Sequence, residues 1–296
     1  MTEAFLNYLQ YEKRYSSKTV TSYQTDLLQF FLFIENEYQL SDLMSVKHNF
    51  IRAFVVDLVN KNNKPSSIKR KISALKSFYK YAQKTGKIKS NPADKINSPK
   101  IPERLPKFVE QSKINNLFDQ PEKYFSDSYN GMQEKLIIDV LYSCGMRRQE
   151  LITLTWSDIN FGSNQLKVTG KGNKQRIIPI GNELVSSLQI FKNLQKEQFK
   201  HKSLASYVFL TADGNQLYPN LVYRIVKKYI GLCSTVEKKS PHVLRHSFAT
   251  HMSNNGAKLN DIKELLGHAS LASTQVYTHN TIEQLKDIYK IAHPKA

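Results

Sequence analysis

The second half of the chain carries side chains suited to phosphate chemistry, in a fixed order. The series consists of Arg147, Lys171, His242, Arg245, His268 and Tyr277. Arginine binds the non-bridging oxygens of a phosphate through two parallel hydrogen bonds. Histidine and lysine can transfer protons, and tyrosine can act as a covalent nucleophile. The combination indicates a reaction at a DNA phosphodiester in which a tyrosine becomes attached to the phosphate.

Cleavage of a phosphodiester without hydrolysis needs a nucleophile, an acid for the leaving 5′-oxygen and positive charge around the phosphate. His242 and Arg245 are three residues apart, which places both on one face of a helix and within reach of one phosphate. Arg147 follows a glycine break, and Lys171 lies at the tip of a predicted hairpin. His268 comes after the glycine that ends its helix, so its ring should project from a helix terminus.

Each of these residues also has a simpler explanation when it is taken alone. Arg147 could serve only as an ion-pair partner of Glu150, three residues later. His242 and His246 have the spacing of two zinc ligands, but the glutamate of the HExxH pattern and a third ligand are missing. Tyr277 is one of 16 tyrosines and could be a core residue.

Residues 1 to about 97 carry helical patterns throughout. Apolar residues at helical spacing predict helices over Thr19–Ile34 and Phe50–Val59, and Pro65 opens a third. The polar side of that third helix is the best candidate for a face that binds DNA phosphates, although an ordinary solvated face is the alternative. It consists of Lys69, Arg70, Lys71 and Lys76.

A proline-rich stretch, SNPADKINSPKIPERLPK, then interrupts the helical pattern. It predicts a stiff linker over 98–107 between a helical domain, 1–97, and a second domain, 108–296. Within the second domain, helices are predicted over Gln133–Ser143 and from Pro241 to Asn254. Alternating apolar residues around a Gly-Lys-Gly-Asn turn predict a β-hairpin over Gln165–Ile180. The fold class is therefore mainly α, with a small antiparallel β-sheet in the C-terminal domain.

The charge favours a polyanionic partner. Lys and Arg number 43 against 25 Asp and Glu, which gives a net charge of +18. Residues 1–104 and 105–296 each carry +9, which favours a polyanion held between two domains over a single basic tail. Generic solubility charge and a membrane-surface role are the alternatives, but no basic amphipathic helix stands out. Cys144 and Cys233 fit reduced thiols, and with no secretory signal we expect a cytoplasmic protein without a membrane partner.

Four segments of the second half read YSCGMRRQELITLTW, VTGKGNKQRIIPI, SPHVLRHSFATHM and ELLGHASLASTQVYTH, and the last two are highly specific. They resemble the tyrosine recombinase (phage integrase) family, and in particular its Xer-type members. The N-terminal segments SSKTVTSYQTDLLQFF and SSIKRKISALKSFYKYAQKTGKIKSNPA are similar to the family's core-binding domain. CGMR stands where TGLR is more usual, and Ala272 where serine is often found. Neither change removes a reacting group.

The resemblance implies a role for each residue of the series. Arg147 would be the first catalytic arginine, steadied by Glu150, and Lys171 would protonate the 5′-oxygen. His242 and Arg245 would form the HxxR pair, and His268 would be the second histidine. Tyr277 would attack the phosphate to give a 3′-phosphotyrosyl link and a free 5′-hydroxyl. Because this link keeps the bond energy, the resemblance implies no cofactor, no ATP and no metal.

The resemblance also implies an assembly. Two domains would clamp double-stranded DNA, and four protomers would exchange strands between two duplexes through a four-way Holliday junction. The tetramer would contain this chain alone or this chain with a paralogue, and a DNA translocase could activate it. The last helix, Glu283–Ile291, would dock into a neighbour through Leu285, Ile288 and Tyr289, with packing on its own domain as the alternative.

The expected function is site-specific recombination that resolves chromosome dimers at a dif-like site. An integrase or transposase of a mobile element would use the same chemistry. A catalytically silent DNA-binding protein would have lost at least one residue of the series, and none is lost. A topoisomerase would share the chemistry but act without site preference, and the resemblance of the N-terminal domain points away from it.

Overall fold

The computed structural model describes residues 1–100, 107–170, 173–200, 206–267 and 279–295. The chain forms two compact units, Met1–Arg104 and Leu105–Ala296, each with its own hydrophobic core. Helices dominate both units, and the described part of the second unit contains a small antiparallel sheet. The predicted fold class is therefore confirmed. Among the described residues, no helix has the length and apolarity that crossing a membrane requires.

The regular elements described for the first unit are all helical, and the last of them ends at Lys84. Its α-helices are α1 (Thr2–Asn7), α2 (Ser17–Tyr38), α3 (His48–Asn60) and α4 (Pro65–Lys84), with a π-helical turn at Tyr8–Glu12 and a 3-10 turn at Leu43–Ser45. Helix α2 begins where the Ser16 side chain accepts a hydrogen bond from the Thr19 backbone N–H. Helix α4 begins with Pro65, at a position where a backbone N–H would have no helical partner. The apolar residues that recur at helical spacing along α4 are buried in the core of this unit: Ile68, Ile72, Leu75, Phe78 and Tyr79.

The second unit surrounds a central helix, α7. Its helices are α5 (Gln111–Asp119), α6 (Pro121–Tyr124), α7 (Tyr129–Ser143), α8 (Arg148–Ile152), α9 (Asn182–Gln198), α10 (Pro219–Cys233), α11 (Pro241–Asn254), α12 (Leu259–Leu266) and α13 (His279–Ala292). Every residue of α7 from Leu136 to Ser143 is buried, because the helix is in contact with α8, α9, α10 and α11.

Over the described residues, the sheet of the second unit has three antiparallel strands in the order β1 (Ile159–Asn160), β2 (Gln165–Thr169) and β3 (Gln175–Pro179). Strands β2 and β3 form the predicted hairpin, in which Leu166 pairs with Ile178 and Val168 with Arg176. Strand β1 was not predicted, because two residues are too few to show an alternating pattern.

Helix α13 corrects the prediction that its apolar side docks into a neighbouring protomer. Leu285 and Tyr289 are buried in the core of their own unit, and Ile288 packs against the same core. The Tyr289 hydroxyl also donates a hydrogen bond to the Ser143 carbonyl at 3.1 Å, which joins α13 to the end of α7. In this structure the alternative holds, because the apolar side of α13 fills its own domain.

Candidate active site

Arg147 lies directly before α8, at a sharp turn that a glycine permits. Gly145 has a φ of +54°, and a Cβ at this position would meet a ring carbon of Phe248 at 2.7 Å. Any side chain here would therefore overlap the core and strain the backbone. The turn places Arg147 at the N-terminus of α8, where its backbone N–H donates to Glu150 Oε2 at 2.7 Å. Its Nη1 donates to Glu150 Oε1 at 2.8 Å, and its side chain is 33% exposed.

Arg245 lies on α11, and its side chain contacts the turn that contains Gly145. Its Nη1 donates to the Gly145 carbonyl at 2.6 Å, and its Nη2 donates to the Leu266 carbonyl at 2.6 Å. The residue is 7% exposed. Burial, followed by the positive charges of Arg147 and Arg176, lowers the pKa of Arg245 to about 10, so its guanidinium still carries a charge at neutral pH.

His242 shares α11 with Arg245 and is exposed at its first turn. Partial desolvation lowers the pKa of His242, and the positive charges of His246, Arg245, Arg148 and Arg147 lower it further. The ring is therefore neutral near pH 7, so it has one N–H donor and one nitrogen that can accept a proton. The predicted pairing of His242 with Arg245 on one helix agrees with this position.

Glu150 is the buried acidic partner of two arginines, one of which the sequence prediction missed. Arg176 on β3 donates from Nη1 to Glu150 Oε1 at 2.9 Å and from Nη2 to Glu150 Oε2 at 2.8 Å. The sequence does contain a signal that Arg176 is buried. Arg176 precedes Ile178 by two positions on a strand, so it must face the same buried side, and a buried arginine requires a partner.

The C-terminus of α12 is held by all three arginines. The carbonyls of Leu265, Leu266 and Gly267 accept hydrogen bonds in turn. The donors are Arg176 Nε at 2.8 Å, Arg245 Nη2 at 2.6 Å and Arg147 Nη2 at 3.2 Å. The last carbonyls of a helix have no partner within it and carry partial negative charge, so cations are favoured there. The next residue in the chain is His268.

Two glycines, Gly170 and Gly267, lie against this cluster of arginines. Gly170 directly precedes Lys171 in the sequence, and Gly267 directly precedes His268. A Cβ on Gly170 would lie 3.3 Å from Glu150 Oε1 and 3.7 Å from Arg147 Nη1. Gly267 has a φ of +63°, and a Cβ there would meet Arg176 Cδ at 2.9 Å. Lys171, His268 and Tyr277 themselves lie outside the described residues.

The described part of the cluster has an excess of positive charge. Arg147 and Arg176 share one carboxylate, that of Glu150, while the acceptors of Arg245 are the neutral carbonyls of Gly145 and Leu266. Such a site attracts an anion, and the partly exposed edge of Arg147 is where the anion can reach a guanidinium. Within the described chain, no group of three or more His, Cys, Asp or Glu side chains could hold a metal ion.

The basic face predicted on α4 needs one correction. Lys71 is buried, and it pairs with Asp26 at 3.0 Å and contacts Gln29, so it does not lie on the exposed side of the helix. The cause is the buried carboxylate of Asp26 on α2, which requires a cation inside the unit. Lys69 is exposed, as predicted.

The other two residues of that face also make contacts within the unit. Arg70 is 45% exposed at its side chain, and it bonds to the Asp26 carboxylate and to the Ser22 carbonyl. Lys76 donates to the Asp94 carbonyl at 3.1 Å. Lys69 and Arg70 are thus the exposed members of the predicted face, and Arg70 is engaged with Asp26.

Comparison with known families assigns both units. The phage integrase family matches residues 107–284, and the phage integrase N-terminal SAM-like domain matches residues 2–86. The chain belongs to the phage integrase family of tyrosine recombinases. The resemblance found in the sequence motifs is therefore confirmed.

Relatives in this family match along almost the entire chain. Tyrosine recombinase XerC of Chlorobaculum parvum is 39% identical over 316 residues, which cover 99% of this chain and 94% of the relative. Tyrosine recombinase XerD of Staphylococcus haemolyticus is 32% identical over 295 residues, which cover 99% of this chain and 98% of the relative.

Solved structures share the fold at lower identity. The XerH site-specific recombinase bound to a palindromic difH substrate, in a post-cleavage complex, has a TM-score of 0.73 at 20% identity. That match covers 98% of this chain and 84% of the other. The Tn1549 transposon integrase bound to transposon right-end DNA has a TM-score of 0.65 at 19% identity, with 97% and 98% of the two chains covered.

Proposed function

We propose that this chain is a site-specific recombinase that cleaves and rejoins double-stranded DNA through a 3′-phosphotyrosyl link on Tyr277. The observation that carries the proposal is the convergence of three arginines on the start of α8 and the end of α12, with one carboxylate among the described groups. This cluster adjoins Gly170 and Gly267, the residues directly before Lys171 and His268. Belonging to the phage integrase family supports the same chemistry.

In the proposed reaction a DNA phosphate binds at the exposed edge of Arg147, near His242. Arg245 is buried and donates hydrogen bonds to two backbone carbonyls, so the orientation of its charged guanidinium is set before the substrate arrives. Charge that is already oriented needs no reorganisation when the phosphate becomes more negative in the transition state. The arginines thus stabilise the transition state more than the bound substrate.

The covalent step exchanges one phosphodiester for another. The Tyr277 oxygen bonds to phosphorus, the bond from phosphorus to the 5′-oxygen breaks, and Lys171 gives a proton to that oxygen. The tyrosine proton leaves to a base or to water, for which the neutral ring of His242 has an acceptor nitrogen. In the reverse step the 5′-hydroxyl of the exchanged strand attacks, and the tyrosine recovers its proton. No external energy source enters the balance.

The finer role we propose is resolution of chromosome dimers at a dif-like site. Its support is the similarity to relatives named tyrosine recombinase XerC and XerD along almost the whole length of the chain. Residues 1–97 would form the core-binding domain, and 108–296 the catalytic domain, joined by the linker at 98–107. The two domains would clamp the DNA as a tetramer of this chain alone or of this chain with a paralogue, and a DNA translocase would be its activator.

The test is recovery of DNA that stays covalently bound to the protein. The chain and a Tyr277→Phe control are isolated from their own cells under denaturing conditions, and the attached DNA is sequenced. Tyrosine-dependent recovery of one chromosomal locus is the expected result. Recovery of several loci beside mobile DNA would keep the chemistry and replace the chromosomal role with that of an element's integrase.

The purified chain on nicked trapping substrates completes the test. After cleavage of such a substrate, the short fragment that carries the 5′-hydroxyl diffuses away. The strand cannot be rejoined, so the covalent complex accumulates. If neither the cellular recovery nor the trap yields a tyrosine-dependent complex, the chain is a DNA-binding protein and the proposed chemistry is wrong.

A further inference from the structure

Arg176 lies inside the second unit, out of reach of any substrate. It is 4% exposed, and its three hydrogen bonds end on Glu150 and on the Leu265 carbonyl. It therefore connects three segments that are far apart in the sequence: strand β3, the first turn of α8 and the last turn of α12. A side chain so enclosed can act on a reaction only through the groups that it holds.

Each of the three connected segments leads to a residue of the proposed reaction. Glu150 binds both the backbone N–H and the Nη1 of Arg147. Leu265 precedes His268 by three residues, and Gly267, between them, packs against the Arg176 side chain. Strand β3 pairs with β2, whose last paired residue, Thr169, lies two positions before Lys171.

We propose that Arg176 is a positioning residue for strand cleavage, which sets the separation of strand β3, the first turn of α8 and the last turn of α12. The inference rests on the proposed function. The guanidinium fork suits this role because its planar N–H groups can bind a carboxylate through two parallel bonds and still donate to a carbonyl at one side. A lysine ammonium carries the same charge, but as a single point it cannot keep this geometry.

Charge on Glu150 gives a second measure of this role. The Glu150 carboxylate faces Arg147 at the N-cap of α8, Arg176 on β3 and the more distant Arg245 on α11. Burial acts to raise the pKa of Glu150, but the hydrogen bonds and charge of Arg176, followed by those of Arg147, lower it overall. Without the guanidinium of Arg176, the lowering is weaker, so the pKa of Glu150 should rise.

The experiment compares Arg176→Lys with the wild-type chain and with Gln195→Met. Gln195 is a suitable control because it is buried in the same unit, bonded to Trp156 and to the Val208 carbonyl, and belongs to none of the three segments. Single-turnover rates of covalent complex formation are measured on a nicked trapping substrate at saturating protein, from about pH 5 to about pH 9. DNA affinity is measured separately by mobility shift.

We expect Arg176→Lys to cleave about a hundredfold more slowly, as displacements near 1 Å do, with DNA affinity within about twofold. The acid limb of its pH profile should move to higher pH, because Glu150 becomes protonated more readily. Gln195→Met should lose stability without moving that limb. A cleavage rate for Arg176→Lys within about threefold of wild type, or a loss matched by Gln195→Met with an unmoved pH limb, would overturn the inference.

A second variant covers the case in which Arg176→Lys does not fold. The pair Arg176→Gln/Glu150→Gln removes both buried charges together, which avoids leaving either one unpaired. It should bind DNA and lose the same hundredfold in rate, and a wild-type rate in this variant would overturn the inference. A wild-type chain that forms no tyrosine-dependent complex would instead remove the proposed function, and this inference with it.

Discussion

Replacement of Glu150 by glutamine tests the charge cluster at its centre. The carboxylate accepts four hydrogen bonds, two from Arg147 and two from Arg176. Glutamine keeps one oxygen but replaces the other with an NH₂ group, which cannot accept a hydrogen bond. Arg176 then keeps its buried charge without a negative partner.

The structure sets the size of the expected effect. Removing one member of a buried ion pair costs about 3–5 kcal/mol of unfolding free energy. Because Arg147 is 33% exposed and can be rehydrated, we expect the lower end of that range. A loss of about 3 kcal/mol lowers the Tm of a unit of this size by roughly 6–12 °C.

Thermal and urea unfolding followed by tryptophan fluorescence provide the assay. Trp156 is the only tryptophan of the sequence and lies in the second unit, so its signal reports on the unit that contains Glu150. Glu134→Gln is the matched control, because Glu134 pairs with the exposed Lys228 at 2.8 Å. Such pairs near the surface contribute about 0–1 kcal/mol.

The pH dependence gives the result that would refute the reasoning. The folded-state pKa of Glu150 is lowered, so its stabilising contribution is complete above the unfolded value of about 4.3 and is lost as pH falls through the folded value. The stability gap between wild type and Glu150→Gln should therefore be full near neutral pH and shrink below about pH 4. A gap no larger than that of Glu134→Gln, or one that does not change with pH, would refute it.

Three further outcomes are expected. Burial, with the positive charges of Lys295 and His251, lowers the pKa of His293 to about 3; stability should fall as pH drops below about 6.5, and His293→Phe should reduce that slope in urea titrations. Gly145→Ala should cost about 2–4 kcal/mol by the same fluorescence measurement, because it adds an unfavourable positive φ to a core overlap. Lys69→Ala should lower the slope of log affinity against log salt by about one in DNA-binding titrations, since one phosphate contact is lost.

The sequence predicted features that depend on local pattern. Spacing of apolar residues over a short stretch was enough to predict the β2–β3 hairpin. A single proline, Pro65, was enough to predict where α4 begins. His242 and Arg245 could be placed on one helix because they are three residues apart. The segments that resemble the family pointed to Arg147 together with His242 and Arg245, although Arg147 lies far from the other two in the sequence.

Long-range pairing is what local pattern could not show. Lys71 meets Asp26 across 45 positions, so nothing near α4 reveals that this lysine turns inward. Arg176 and Glu150 are 26 positions apart, and only strand alternation hints that the arginine is buried. The apolar side of α13 would look the same whether it covered its own unit or a neighbour, because amphipathic pattern specifies burial without specifying the partner.

The row of three carbonyls at the end of α12 bears on how this site tolerates sequence change. The arginines bind main-chain oxygens of Leu265, Leu266 and Gly267, which every amino acid supplies. Substitutions at the two leucines are thus screened by how well they fill the core, while the third position must stay small and left-handed. Part of the architecture of the candidate site is therefore specified by the path of the backbone, so changes in side-chain identity can leave these hydrogen bonds intact.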